Sequence, residues 1–161
     1  MRRRLVQLPV AASVLGLALT VAAPAAAEAR TPQTAAAVTV HLTVTGPDGA
    51  VYDKDLKTTG HTVSAATGGE HKCDGTNNGA NSSAGATPTA ALDDAAQAAD
   101  FTWDGTWYAS YEDYFVTTID GDAQTADAYW NISVNGEATS VGGCQHKLSA
   151  GDDVAFTWTA M

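Results

Sequence analysis

Two cysteines and two histidines stand in similar short segments that are far apart in the sequence. His71 precedes Cys73 in GGEHKC, and His146 follows Cys144 in GGCQHK. Thiolate and imidazole groups are the ligands that structural zinc prefers, whereas two oxidised thiols form a disulfide. These four residues are therefore candidates for a metal site or for a disulfide with histidines beside it.

The N-terminus has the pattern of a secretory signal peptide, which we predict over residues 1–29. Three arginines at 2–4 precede an apolar run over 8–23, and small residues then supply cleavage patterns that end at Ala27 or Ala29. An uncleaved N-terminal anchor is the alternative. No later stretch is apolar enough to span a membrane. We therefore expect a secreted, extracellular protein.

Export favours the disulfide over the metal site. Outside the cytoplasm, two cysteines in a small domain usually pair with each other. A structural zinc site typically uses closely spaced cysteine pairs, and here each cysteine stands alone. The sequence therefore predicts a Cys73–Cys144 disulfide. That bridge would bring His71 and His146 near each other, which leaves a weaker hypothesis of a metal held by two imidazoles.

The charge and the motifs exclude several functional classes. The net charge of −10 makes the chain repel nucleic-acid phosphates and anionic lipid headgroups, so we expect no nucleic-acid partner. The nucleophile elbow G-x-S-x-G of serine hydrolases does not occur, and oxidised cysteines are not nucleophiles. Abundant carboxylates in an acidic domain usually form a solvated surface. We therefore expect no enzymatic activity and no cofactor.

Aromatic residues are the best candidates for ligand binding. Trp103, Trp107 and Tyr108 crowd one short stretch, and Tyr129 falls on the polar face of a later alternating segment. Flat aromatic rings stack well on sugars, corrins and peptide backbones. For Trp103 and Trp107 a place in the hydrophobic core is an equal alternative. The predicted partner is a small molecule or glycan, or else a protein of the cell envelope.

Local patterns predict the elements that position these residues. After a lead-in over 30–36, alternation of apolar and polar residues predicts strands over 38–45 and 51–57. Glycine and asparagine predict a loop over 67–86. Thr87 followed by proline predicts a helix over 87–99, with Asp93 facing outward.

Several strands should follow the helix. Asp104-Gly105 and Asn135-Gly136 are hairpin-turn signals, and residues 154–159 alternate as a closing strand. Two strands, one helix and then further strands is the order of a β-grasp-like domain. The predicted fold class is therefore α+β, with a mixed sheet of about six strands, one main helix and one disulfide.

The C-terminal half contains the motifs I-D-G, Y-W, V-N-G and L-x-x-G-D-x-V-x-F-x-W, beginning at residues 119, 129, 134 and 148. This order resembles the family of secreted domains similar to the C-terminal domain of transcobalamin and intrinsic factor. The resemblance implies such a domain over 37–161. In the vitamin B12 carriers the corresponding domain covers one face of the corrin, and a large helical domain forms the other half of the site. Cobalamin is therefore the ligand that the resemblance implies.

Three functional hypotheses follow. The first is a secreted, non-catalytic binding module for a small molecule or glycan, with Tyr129 and Trp107 as its leading residues. The second is a structural or adhesion module of the cell envelope that binds another protein. The third is an extracellular metal-binding protein that uses His71 and His146.

Overall fold

The structure, a computed structural model, describes residues 35–161, in which strands predominate. Strands account for 48% of these residues and helices for 12%. The elements are β1 (Val38–Gly46), β2 (Gly49–Thr58), β3 (His61–Ala65), β4 (Gly69–Cys73), a 3-10 turn (Asn77–Gly79), α1 (Pro88–Ala99), β5 (Trp103–Tyr108), β6 (Asp113–Ile119), β7 (Asp122–Ala123), β8 (Ala128–Val134), β9 (Glu137–Ala138) and β10 (Asp153–Ala160). The predicted signal peptide over 1–29 and most of the lead-in over 30–36 lie outside the described residues.

The strands form three sheets. A five-stranded sheet has the order β2-β1-β10-β8-β9, while β3-β4 and β5-β6-β7 form smaller sheets. The pair β1 and β10 is parallel, and the other pairs are antiparallel. The prediction of a β-grasp-like domain with one mixed sheet of about six strands is therefore wrong, whereas the predicted α+β class is loosely compatible with a mostly β chain that has one helix. Alternation of apolar and polar residues identifies a strand but does not select its partner.

The five-stranded sheet buries one face, as the alternation predicts. Val40, Leu42 and Val44 of β1 are buried, and so are Val154 and Phe156 of β10. Helix α1 packs against β2, β3 and β5. Apolar area removed from water on these surfaces supplies the main stabilising free energy of the core.

Helix α1 begins and ends where local signals predict. The Thr87 hydroxyl accepts a hydrogen bond from the Ala90 amide, and Pro88 occupies the first turn. Asp100 ends the helix with a left-handed backbone, at a φ of 59°. The predicted helix over 87–99 is thus confirmed, but the outward position predicted for Asp93 is wrong, because its side chain is buried.

Asp93 is buried at 3% exposure because four donors satisfy its carboxylate. Its Oδ1 accepts from Trp103 Nε1 at 2.9 Å and from the Ser64 amide at 3.2 Å. Its Oδ2 accepts from Gln97 Nε2 at 2.7 Å and lies 3.2 Å from His61 Nε2. Buried carboxylates persist when they are paired and fully hydrogen-bonded. Asp93 therefore fastens α1 to both β3 and β5.

The His61–Asp93 pair makes stability depend on pH. The hydrogen bond to Asp93 raises the pKa of His61 to about 9, so this contribution is complete below pH 6.5 and is lost as pH rises through 9. Burial alone would raise the pKa of Asp93, but hydrogen bonds from His61 and Trp103 outweigh it and lower that pKa. This second contribution is therefore complete above pH 3.8 and is lost at lower pH. We expect the pair to stabilise the fold most between pH 3.8 and pH 6.5, where both contributions are complete.

Urea unfolding at a series of pH values measures this dependence. We expect His61→Gln to lose most stability near pH 6 and to approach the wild type above pH 9, because the wild-type histidine is then neutral too. An equal loss at every pH would contradict the assignment of the effect to histidine charge.

Two further sequence predictions are corrected by the small sheets. Asp104-Gly105 is a bulge inside β5 and not a hairpin turn, because the Asp104 carboxylate accepts hydrogen bonds from the Thr67 and Gly68 amides. The predicted loop over 67–86 contains β4, which pairs with β3. Both features depend on partners that are distant in sequence.

Candidate functional site

An open cleft of about 580 Å³ lies between the β5–β6 hairpin and the segment that follows β9. The hairpin contributes mostly aromatic side chains, and the segment contributes small and polar ones. The lining residues are Tyr108, Tyr111, Asp113, Tyr114, Phe115, Thr139, Ser140, Val141, Gly142 and Gln145.

The register of the hairpin explains which rings line the cleft. Tyr108 pairs with Asp113, and Phe115 lies two residues further along β6, so these three side chains share one face. Trp107 and Tyr114 form the next pair and project from the opposite face. There the His71 ring stacks on Trp107, with 4.0 Å between ring centroids and 3° between planes. Packing against β4 thus covers one aromatic face and leaves the other open.

Exposed apolar side chains are concentrated in this cleft. Among residues 35–161, five large hydrophobic side chains are exposed, and four of them line the cleft: Tyr108, Tyr111, Phe115 and Val141. Tyr111 is the most exposed of the four, at 61%. Large apolar side chains exposed together, rather than scattered, are typical of a binding surface.

The two tyrosines stand at the hairpin end in a fixed arrangement. The Tyr111 amide donates to the Tyr108 carbonyl at 3.0 Å, which closes the turn. Their rings are 6.5 Å apart between centroids, with 64° between planes. This arrangement forms an angled corner of two ring faces.

A buried asparagine, Asn77, stabilises the turn between β5 and β6 by a hydrogen bond. Asn77 is almost fully buried, and its Nδ2 donates to the Glu112 carbonyl at 2.7 Å. The Asn78 amide donates to the Glu112 carboxylate. Glu112 itself has a left-handed backbone, with a φ of 48°. The 3-10 turn over 77–79 therefore supports the strained turn that carries both tyrosines.

The disulfide positions the opposite wall of the cleft. Cys73 and Cys144 are bonded, as the sequence predicts, with 4.5 Å between their Cα atoms. The Cys144 amide donates to Asp113 Oδ1 at 3.0 Å, and Gln145 Nε2 donates to the Tyr111 carbonyl at 2.8 Å. The bridge thus fastens the segment after β9 to the aromatic hairpin.

Gly142 allows this close approach. A Cβ atom at position 142 would lie 2.1 Å from Asp113 Oδ2, which is far inside van der Waals contact. A side chain there would displace the carboxylate or the segment. The glycine is therefore required for the two walls to meet.

Asp113 is the ionisable acid at the base of the cleft. It is only 5% exposed, and its Oδ1 also accepts from the Tyr114 amide at 2.8 Å. Burial raises its pKa to about 6, although the hydrogen bonds from Cys144 and Tyr114 act in the opposite direction. None of the residues between 35 and 161 that line the cleft is a lysine, arginine or histidine. The cleft is therefore apolar, with negative charge at its base near neutral pH.

The predicted ligand-binding residues take different positions. Tyr108 lines the cleft, whereas Trp107 is half-buried against His71. Trp103 is 3% exposed and packs in the core, with its indole bonded to Asp93. Tyr129 is half-buried on β8, opposite Thr159, and is not among the residues that line the cleft.

Sequence reasoning missed four contributors to the cleft. Tyr111 and Phe115 belong to the aromatic stretch but were not among the four residues predicted to bind a ligand. Asp113 lies between them, and its carboxylate was indistinguishable from surface acids. Val141 comes from a segment with no recognisable signal. The pairing of Tyr108 with Asp113 would have identified the first three as neighbours.

The metal hypothesis gains no geometric support. Within residues 35–161, no three histidine, cysteine or acidic side chains are grouped so that they could hold a metal ion. Both cysteine sulfurs are used in the disulfide, and the His71 ring is stacked on Trp107. A site at His71 and His146 stays a prediction.

Comparisons with known proteins cover different parts of the chain. The model of a family described as "Domain of unknown function (DUF4430)" matches residues 92–160, which include the β5–β6 hairpin and the segment after β9. No curated protein matches the chain. Among solved structures, similarity is found to haptocorrin in complex with Cbi, at 15% sequence identity and a TM-score of 0.49. That similarity covers 78% of this chain and 25% of the haptocorrin chain, so the protein spans about a quarter of haptocorrin's length.

The part of the chain that the structure describes has no helix with the length and apolarity needed to cross a membrane.

Proposed function

We propose that the protein is a secreted, non-catalytic binding module for a small molecule or glycan, and that the aromatic cleft is its site. The observation that carries the proposal is the concentration of exposed apolar rings in one cleft beside the disulfide. The cavity of about 580 Å³ falls within the range of small-molecule sites, roughly 300–1,000 Å³.

The shape and lining of the cleft favour a ligand with a flat or apolar portion. Tyr108 and Tyr111 present ring faces that a sugar or heterocycle can stack on, while Ser140 and Thr139 offer hydroxyl groups at the opposite wall. In a mostly apolar cleft, a small number of polar groups fixes the orientation of a bound small molecule.

The acid chemistry of the cleft supports a non-catalytic role. Asp113 is the only carboxylate that the described residues contribute to the lining, whereas most glycosidases need a pair of carboxyl groups that flank the scissile bond. The Asp113 carboxylate already accepts amide hydrogen bonds from Tyr114 and Cys144. It is therefore engaged in holding the two walls together.

Secretion is supported by the disulfide, because such bonds persist in oxidising compartments. An envelope protein that covers Tyr111 and Phe115 is the alternative occupant of the cleft. Mass spectrometry and titration distinguish it from a small molecule or glycan.

Native mass spectrometry of the chain, expressed for export and purified without reductant, tests the proposal. We expect an organic adduct on the wild type and its loss from Tyr108→Ala/Tyr111→Ala, because these exposed rings are removed without opening the core. Tyr129→Ala is the matched control and should retain the adduct.

If the protein is purified without a bound ligand, titration with cobalamin and with a soluble oligosaccharide provides the test. Loss of affinity of about tenfold or more in the double variant would support the site. Retention of full affinity in the double variant, with loss in Tyr129→Ala, would move the site to the five-stranded sheet. A bare chain that binds neither probe and is retained by envelope protein would favour the adhesion module.

A further inference from the structure

The geometry points to an organic cation, a quaternary or protonated amine with an apolar body, as the ligand class of the aromatic cleft. This inference rests on the proposed function, because it specifies the ligand of the same site. It comes from three features together: ring faces set at an angle, a carboxylate at the base, and the lack of basic side chains among the described residues that line the cleft.

The first feature is the arrangement of rings. The faces of tyrosine and phenylalanine carry negative electrostatic potential, which attracts ammonium groups placed within about 6 Å of the ring centre. Tyr108 and Tyr111 form a corner at 64°, and Phe115 lies on the same face of the hairpin as Tyr108. Angled rings let one compact cation contact more than one ring face at the same time.

The second feature is the position of Asp113. It pairs directly with Tyr108 across the hairpin and precedes Phe115 by two residues, so the carboxylate lies on the same face as the rings. The side chain is more than nine-tenths buried and lines the cleft. A negative charge with little exposure to water is weakly screened, and its attraction for a cation is correspondingly stronger.

The third feature is what the lining excludes. Within the part of the chain that the structure describes, the remaining lining side chains are neutral, so no basic group among them competes with a ligand ammonium or pairs with a ligand anion. The chain as a whole carries a net charge of −10, which attracts cations and repels anions at long range. The charge in the cleft and the net charge of the chain therefore both favour a positively charged ligand.

Calorimetric titration with choline and with 3,3-dimethylbutan-1-ol tests the inference. The two molecules have nearly the same shape, but only choline carries a charge. We expect choline to bind about tenfold or more tightly than the alcohol, from the ring faces and the carboxylate together. Asp113→Asn keeps an oxygen for the Tyr114 and Cys144 amides and should remove most of that preference.

Tyr111→Leu tests the contribution of the ring to choline affinity. The variant should fold like the wild type, because Tyr111 is 61% exposed. Leucine keeps an apolar surface but has no ring face. We expect about a two- to fivefold loss of choline affinity and little change for the alcohol. Tyr129→Leu makes the same replacement on β8, outside the cleft lining, and should leave both affinities unchanged.

Three outcomes overturn the inference and are distinguishable from one another. Equal affinities for choline and the alcohol, both weakened in Tyr108→Ala/Tyr111→Ala, would show that the cleft binds apolar molecules without regard to charge, and the proposed function would stand. Absence of binding by both probes, while cobalamin or an oligosaccharide binds through Tyr108 and Tyr111, would also reject the cation and retain the site. Absence of binding by every probe would count against both proposals.

Discussion

Replacement of Cys73 and Cys144 by alanine is expected to lower the free energy of unfolding by about 4 kcal/mol. The two residues are separated by 71 positions, so the bridge removes a large amount of conformational freedom from the unfolded chain. The free energy of unfolding of a domain is typically about 5–15 kcal/mol, so this loss is a large fraction of the total. Urea unfolding of the two forms measures it directly.

The same variant should also affect the cleft. The Cys144 amide and the Gln145 side chain bind Asp113 and the Tyr111 carbonyl, so loosening this segment should weaken ligand binding before the domain unfolds. Wild-type protein with the bridge reduced is the control and should behave like the alanine variant. A loss well below 1 kcal/mol would contradict a main stabilising role for the bridge.

Replacement of Asp93 by alanine is expected to cost about 3–5 kcal/mol. The change leaves the buried Trp103 indole and the Ser64 amide without their acceptor and removes the partner of His61. Each unsatisfied buried donor costs free energy that a surface group would recover from water. The midpoint of thermal or urea unfolding measures the loss.

The neighbouring Asp94 offers a matched control. Its side chain is partly exposed and lies 3.8 Å from His61 Nε2, a weaker interaction than that of Asp93. We expect Asp94→Ala to cost less than about 1 kcal/mol, as is typical of partly exposed ion pairs. Similar losses in the two variants would show that Asp93 acts through general helix effects and not through its buried contacts.

Elements with local signals could be predicted from the sequence. Thr87-Pro88 and the alanine periodicity identify α1 because capping and side-chain spacing are local properties. The alternation over 38–45 and 154–159 identifies β1 and β10, since one face of each is buried. Asn135-Gly136 forms the predicted turn, with both residues at positive φ.

Elements whose local sequence signals fit two structures could not be predicted from the sequence. Asp104-Gly105 fits a hairpin turn and a β-bulge equally well, and acceptance of hydrogen bonds from the Thr67 and Gly68 amides decides for the bulge. An aspartate in a helix is usually exposed, and only the distant donors His61, Ser64 and Trp103 bring Asp93 inside.

The sequence by itself determined the disulfide, because a predicted export signal and two isolated cysteines favour pairing over a metal site. It also identified the aromatic stretch as the place to look for a site. Tertiary structure decided which rings are accessible. Neighbouring residues of a strand project to opposite faces, and β4 covers the face of Trp107 and Tyr114, so Tyr108 and Phe115 are left open to solvent.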